Sequence, residues 1–108
     1  MNIATRSNQG TTIVDVVGHI DLSSSPVLRK TLLDALKVTK RLGLNMVAVK
    51  YIDSSGIASL LEVLKAARQA QKQFLLFGLT AAVRQVLHLT RLTGVFEIRE
   101  TEDEALNG

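Results

Sequence analysis

Apolar residues along this chain fall into short blocks whose spacing switches between the two-residue period of a strand and the three-to-four-residue period of a helix. Thr12-Ile13-Val14-Asp15-Val16-Val17-Gly18 is rich in β-branched residues and partly alternating, which predicts a strand. A shorter strand around Asn2 to Arg6 would pair with it across a turn at Asn8-Gln9-Gly10. Leu28, Leu32 and Leu36 recur at helical spacing as far as Thr39, and Ser25-Pro26 ahead of them reads as an N-cap followed by proline at the first helical position. Leu42 to Val49 has the length and apolarity of a buried strand, with Gly43 and Asn45 as interruptions.

After Tyr51-Ile52-Asp53 the period lengthens again. Ile57, Leu60, Leu61 and Leu64 form an apolar stripe opposed by Glu62, Lys65, Arg68 and Gln69, an amphipathic helix ending near Gln71. Phe74 to Phe77 predicts a compact buried strand, and Thr80 can cap a third helix through Val83, Val86 and Leu87. Phe96 to Arg99 predicts a last strand, and Thr101 to Leu106 a short helix whose acidic start suits the dipole of its N-terminus. This order predicts one α/β domain over residues 1–108, with a mixed, mostly parallel sheet of about five strands covered by about four helices. In open sheets of this kind functional groups gather where strands hand over to helices, and Asp53-Ser54-Ser55-Gly56 falls at such a junction.

Composition narrows the chemistry. A hydrophobic share of 46% with 21% charged residues is that of a packed globular domain. The absence of cysteine excludes disulfides, zinc–thiolate sites and a thiol nucleophile, and two histidines leave little for a metal cluster, so no metal or cofactor is expected. The apolar runs are too short to span a membrane, and a cytoplasmic protein without membrane insertion is expected. The net charge of +3 is scattered, and aromatics make up only 4% of the residues, so a direct nucleic-acid groove is not indicated. The densest basic run, Lys37 to Arg41, lies at a predicted helix end, where cations complement the dipole.

Asp53, Ser54 and Ser55 can each cap the second helix, and Gly56 removes side-chain bulk at its start. Serine catalysis fails on inventory: the nucleophile-elbow pattern needs glycine two residues before the serine, where Ile52 stands before Ser54. His19 and His88 have no supporting constellation around them, and pairing Asp21 with Asp53 as working carboxylates lacks a perturbing environment. Neither a phosphate-binding glycine loop nor a dinucleotide fingerprint is present. No enzymatic activity is expected.

Two blocks, Val17-Gly18-His19-Ile20-Asp21-Leu22-Ser23-Ser24-Ser25-Pro26-Val27-Leu28 and Tyr51-Ile52-Asp53-Ser54-Ser55-Gly56-Ile57, closely resemble the STAS domain family, in particular bacterial anti-sigma factor antagonists. Val83 to Thr90 looks like that family's third helix and its exit, so the resemblance runs over nearly the whole chain in matching order. It implies a regulatory binding module that frees a sigma factor by binding an anti-sigma factor with serine kinase activity, and that a serine phosphatase reactivates. It maps the phosphoacceptor onto Ser54, with Ser55 as the alternative. It implies a partner surface made by the Asp21 to Pro26 loop, including Ser23, Ser24 and Ser25, and by Asp53, Ser54, Ser55, Gly56 and Ile57 with the exposed first turns of the second helix, including Ala58, Ser59 and Glu62.

Phosphate at Ser54 would add about −1.5 to −2 charge beside Asp53, while the helix N-terminus would offer it N–H groups. Ile57-Ala58 replaces the family's usual Leu-Gly after the turn, and Arg91 precedes Leu92 where a small residue is common. The rival within the family is a non-switching subunit of a membrane lipid-transport ATPase, in which Ser54 would be structural. A monomer or a weak homodimer through a sheet edge is the expected state.

Overall fold

Residues 1–107 are described by the computed structural model, and they follow the alternation that the apolar periods predict. β1 (Asn2–Asn8) and β2 (Thr11–Ile20) form an antiparallel hairpin closed by Gln9 and Gly10, whose φ angles are +51° and +82°. This turn has the twist of the strands it joins, and Gly10 adopts its geometry without a Cβ penalty. The chain continues through α1 (Ser25–Val38), β3 (Arg41–Ile52), α2 (Ser54–Gln69), β4 (Gln73–Phe77), α3 (Ala81–Leu89), β5 (Glu97–Arg99) and α4 (Glu102–Asn107). β3 is longer than the apolar run suggested and reaches Ile52, because its pairing with β2 carries on to Ile20.

The five strands lie in sequence order, β1-β2-β3-β4-β5, with β1 antiparallel to β2 and the remaining three pairs parallel. Right-handed crossovers that all advance in one direction put their helices on one face of the sheet. Leu28 and Leu32 of α1, Leu60 and Val63 of α2, and Val83 and Leu87 of α3 accordingly share one core with Val14, Leu44 and Leu76 of the strands. The opposite face is covered only toward the start of the parallel strands, where Ala105 of α4 packs with Ile13, Leu75 and Phe77. Farther along the strands Val17, Val47 and Tyr51 remain exposed. Two register slips, between Asp15 and Val17 and between Gly18 and His19, add residues on β3 and bring Ile20 opposite Ile52 at the strand ends.

The start of α1 differs from the expected cap. Ser24, not Ser25, is the N-cap residue, so Pro26 stands second in the helix and Ser25 is buried beneath it. Ser24 also makes no side-chain capping bond, because its hydroxyl donates to the His19 carbonyl at 2.9 Å and accepts from the Asp21 N–H at 2.9 Å. Thr80 does cap α3 as predicted, accepting from the Val83 N–H at 3.4 Å.

An ionic clamp holds α4 to the hairpin. Arg6 Nε donates to Asp15 Oδ2 at 2.7 Å, and its terminal nitrogens donate to Glu102 at 2.8 and 2.5 Å. Asn8 donates to the same Glu102 at 2.6 Å, and Asn45 donates to Asp15 at 2.8 Å. The hydrogen bonds from Arg6 hold both carboxyls below their ordinary values of 3.8 and 4.5. Their contribution is therefore complete above those values and is lost as the pH falls through the depressed ones. Arg6→Ala should lower stability to urea at neutral pH, and its deficit against the wild type should shrink as the pH drops below about 4.5, the ordinary carboxyl value. A deficit independent of pH would mean that Arg6 acts through packing alone.

Candidate functional site

The ends of β2 and β3 lie side by side, so the two loops that follow them are neighbours. The Asp53 N–H donates to the Ile20 carbonyl at 3.1 Å, stitching the second loop to the end of the first strand. Each loop is organised by one aspartate. Asp21 Oδ1 accepts from the Ser23 N–H at 3.1 Å, the Ser23 hydroxyl at 2.7 Å and the Ser24 N–H at 3.2 Å. Asp53, the N-cap residue of α2, accepts through Oδ1 from the Ser55 N–H at 3.0 Å, the Gly56 N–H at 3.1 Å and the Ser55 hydroxyl at 2.6 Å. Of the three candidate caps, Asp53 is the one that acts, since a short carboxylate reaches two orphan N–H groups at once.

These bonds hold both carboxyls below the ordinary range, the Ser55 hydroxyl being the first cause at Asp53 and the Ser23 hydroxyl at Asp21. Asp21 raises Asp53 in return, as expected for two like charges on adjoining loops. The rim of the site is thus anionic at neutral pH. Ser54 is the first residue of α2; its side chain is exposed and has no hydrogen-bond partner among the described residues. The neighbouring Ser55 hydroxyl is half-buried and committed to Asp53. The N–H groups of Ser55 and Gly56 are committed as well, so a phosphate on Ser54 would meet a helix start whose nearest donors already serve the cap.

The expected surface divides in two. Asp21, Ser23, Ser24, Asp53, Ser54, Ser55, Ala58 and Glu62 all present some surface. Ser25 and Ser59 are buried, which corrects their expected place on a partner surface; Gly56 and Ile57 are buried too, Ile57 on the apolar stripe that its spacing predicts, so neither offers side-chain surface to a partner. Ser59 shares a helical stripe with Gly56 and Val63, and Ser25 shares one with Leu28 and Leu32, so the same period that builds the core turns both hydroxyls inward. Gly56 is bare for a steric reason: a β-carbon there would lie 2.7 Å from Ile20 Cγ2, 2.7 Å from Ile52 Cγ1 and 3.1 Å from the Ile20 carbonyl oxygen.

Leu22, 76% exposed in the first loop, and Tyr51, 49% exposed and edge-on to His19 at 6.0 Å between ring centroids, add apolar surface that the serine-centred reading passed over. The available signal was an apolar residue inside the polar run Asp21 to Ser25. Neither histidine ring hydrogen-bonds Ser54 or Ser55, and no cluster of three metal-ligating side chains occurs among the described residues.

An α/β sheet with a serine-bearing, aspartate-capped helix start at its strand ends is the architecture of STAS domains. The profile of the STAS domain family matches residues 2–105, and the chain belongs to this family. The chain is 31% identical over 94 residues to the anti-sigma-B factor antagonist of Listeria monocytogenes, covering 86% of this chain and 82% of that protein. Among solved structures, an anti-sigma factor antagonist from Mycobacterium paratuberculosis superposes with a TM-score of 0.81 at 25% identity, covering 98% of this chain and 91% of its own. The Bacillus protein SpoIIAA in its phosphorylated form shares the fold, with a TM-score of 0.75 at 18% identity over 98% of this chain and 97% of its own.

Gly56→Ala should destabilise the fold by about 1–3 kcal/mol, the usual range for an overpacked site. Ser54→Ala should stay within about 0.5 kcal/mol of the wild type, as expected for a surface residue without bonds. Urea unfolding of the two variants checks both. A costly Ser54→Ala would reveal a structural role for that hydroxyl.

Proposed function

We propose that this chain is a cytoplasmic anti-sigma factor antagonist that binds an anti-sigma factor with serine kinase activity while Ser54 is unmodified and releases it when Ser54 is phosphorylated. The observation that carries this reading is the contrast between adjacent serines: Ser54 offers an unbonded hydroxyl to an incoming partner, whereas Ser55 is tied into the cap. An acceptor must enter a kinase active site without dismantling the fold, and of these two serines Ser54 is the one outside the cap. Relatives that are anti-sigma factor antagonists support the antagonist role, and SpoIIAA, which shares the fold, has a phosphorylated form.

The switch is electrostatic. A phosphate at Ser54 joins Asp21 and Asp53 on one rim, and the cap leaves little to neutralise it. A partner surface fitted to the bare hydroxyl must then accommodate new volume and desolvate a dianion, at a cost on the order of a few kcal/mol. Each 1.4 kcal/mol, roughly, weakens binding tenfold, so the modification separates bound from free states. A serine phosphatase resets the cycle, and the chain itself serves as substrate and binding module. In a non-switching subunit of a lipid-transport ATPase, Ser54 would be structural, and its lack of hydrogen bonds argues against that role.

Incubating the protein with ATP and its cognate anti-sigma factor kinase should add one phosphoryl group by intact mass, and Ser54→Ala should abolish the gain. In titrations of the same partner, Ser54→Asp should bind at least about tenfold more weakly than the wild type. Equal affinities, or phosphorylation that persists in Ser54→Ala, would remove Ser54 as the switch.

A further inference from the structure

Away from Ser54, α1 and the end of α2 border an open groove of about 600 Å³. Leu33, Ala66 of α2 and Ala70 just beyond its end line its apolar floor, above the buried Leu36. Arg29, Lys30, Lys37 and Lys72 stand along its edges. Against these four cations the lining holds a single carboxylate, Asp34, which Lys30 and Lys37 share at 2.8 and 3.6 Å. The side chains of Lys30 and Lys37 are 79% and 75% exposed, so their charge faces solvent. The groove runs from Pro26 to Lys37 along α1, roughly 16 Å at the helical rise, or about three turns of a docked helix. Glu62, paired with Arg29 at 3.6 Å, lies between Ser54 and Ala66 along α2, so the groove and the serine-bearing helix start are separate parts of the surface.

We infer that this groove is a second docking surface, which receives an acidic amphipathic helix of a partner protein. Apolar side chains on one face of that helix would cover Leu33, Ala66 and Ala70, and carboxylates flanking them would meet Lys30 and Lys37, while the Lys72 amine already donates to the Leu36 carbonyl. Helix-in-groove recognition of this type combines a row of apolar anchors with charge complementarity at the rim. The inference does not depend on the phosphoswitch: a partner held here stays bound whatever the state of Ser54, so the surface can tether a regulator through a cycle of modification.

The test uses two labelled synthetic helical peptides with leucines along one face, one carrying glutamates and the other lysines at the remaining positions. By fluorescence anisotropy the glutamate peptide should bind and weaken with added salt, while the lysine peptide should not bind. Amide NMR shifts should centre on Leu33, Ala66 and Ala70. Lys30→Glu combined with Lys37→Glu should weaken binding by about tenfold or more, and Ala70→Glu should do the same from the groove floor. Ser54→Asp should bind like the wild type, which separates this surface from the switch. Equal binding of the two peptides, no binding of either, or shifts centred on Asp53 to Ser55 would overturn the inference. Binding of phosphatidylglycerol vesicles without binding of the glutamate peptide would also overturn it, and would assign the groove to lipid.

Discussion

Any side chain at position 56 would drive into Ile20 and Ile52, and the approach of α2 to the strand ends rests on that missing β-carbon. With the helix start seated there, the Asp53 N–H reaches the Ile20 carbonyl and the loops after β2 and β3 become one surface. The constraint extends upstream. Ile20 stands opposite Ile52 only because two register slips take up the extra residues of β3. The core, the sheet register and the exposed serine thus share one geometric condition, and it is met in a stretch of four residues.

Within that surface the two aspartates act first on their own loops. Each carboxylate is taken up by backbone N–H groups and the hydroxyl of the serine two residues on, which fixes the loop and keeps the charge ionised. The site is therefore a stiff anionic rim around one uncommitted hydroxyl. Recognition of such a rim depends on small differences in volume and charge, since little loop rearrangement is available to absorb them.

Much of this was legible beforehand. Apolar period separated helices from strands, and the turn-forming residues of Asn8-Gln9-Gly10 marked the hairpin. The junction at Asp53 could be placed, but which of three capping residues would act could not, because that choice depends on which oxygen reaches two N–H groups after folding. Ser25 and Ser59 were misjudged for a related reason: the family resemblance implied a partner surface there, whereas their places on the α1 and α2 stripes decided for the interior. The Arg6–Glu102 clamp and the basic groove join residues far apart in the chain, and local pattern carries no sign of either.

The clamp bears on how the protein is made. Arg6 and Glu102 are separated by 96 positions, so during synthesis the arginine leaves the ribosome long before its partner exists. Until α4 arrives, the face formed by Ile13, Leu75 and Phe77 is uncovered, and a chain stalled late in translation would display it. The six-residue helix α4 is therefore the element whose arrival closes this patch, and folding of the sheet's second face waits on residues synthesised after all five strands.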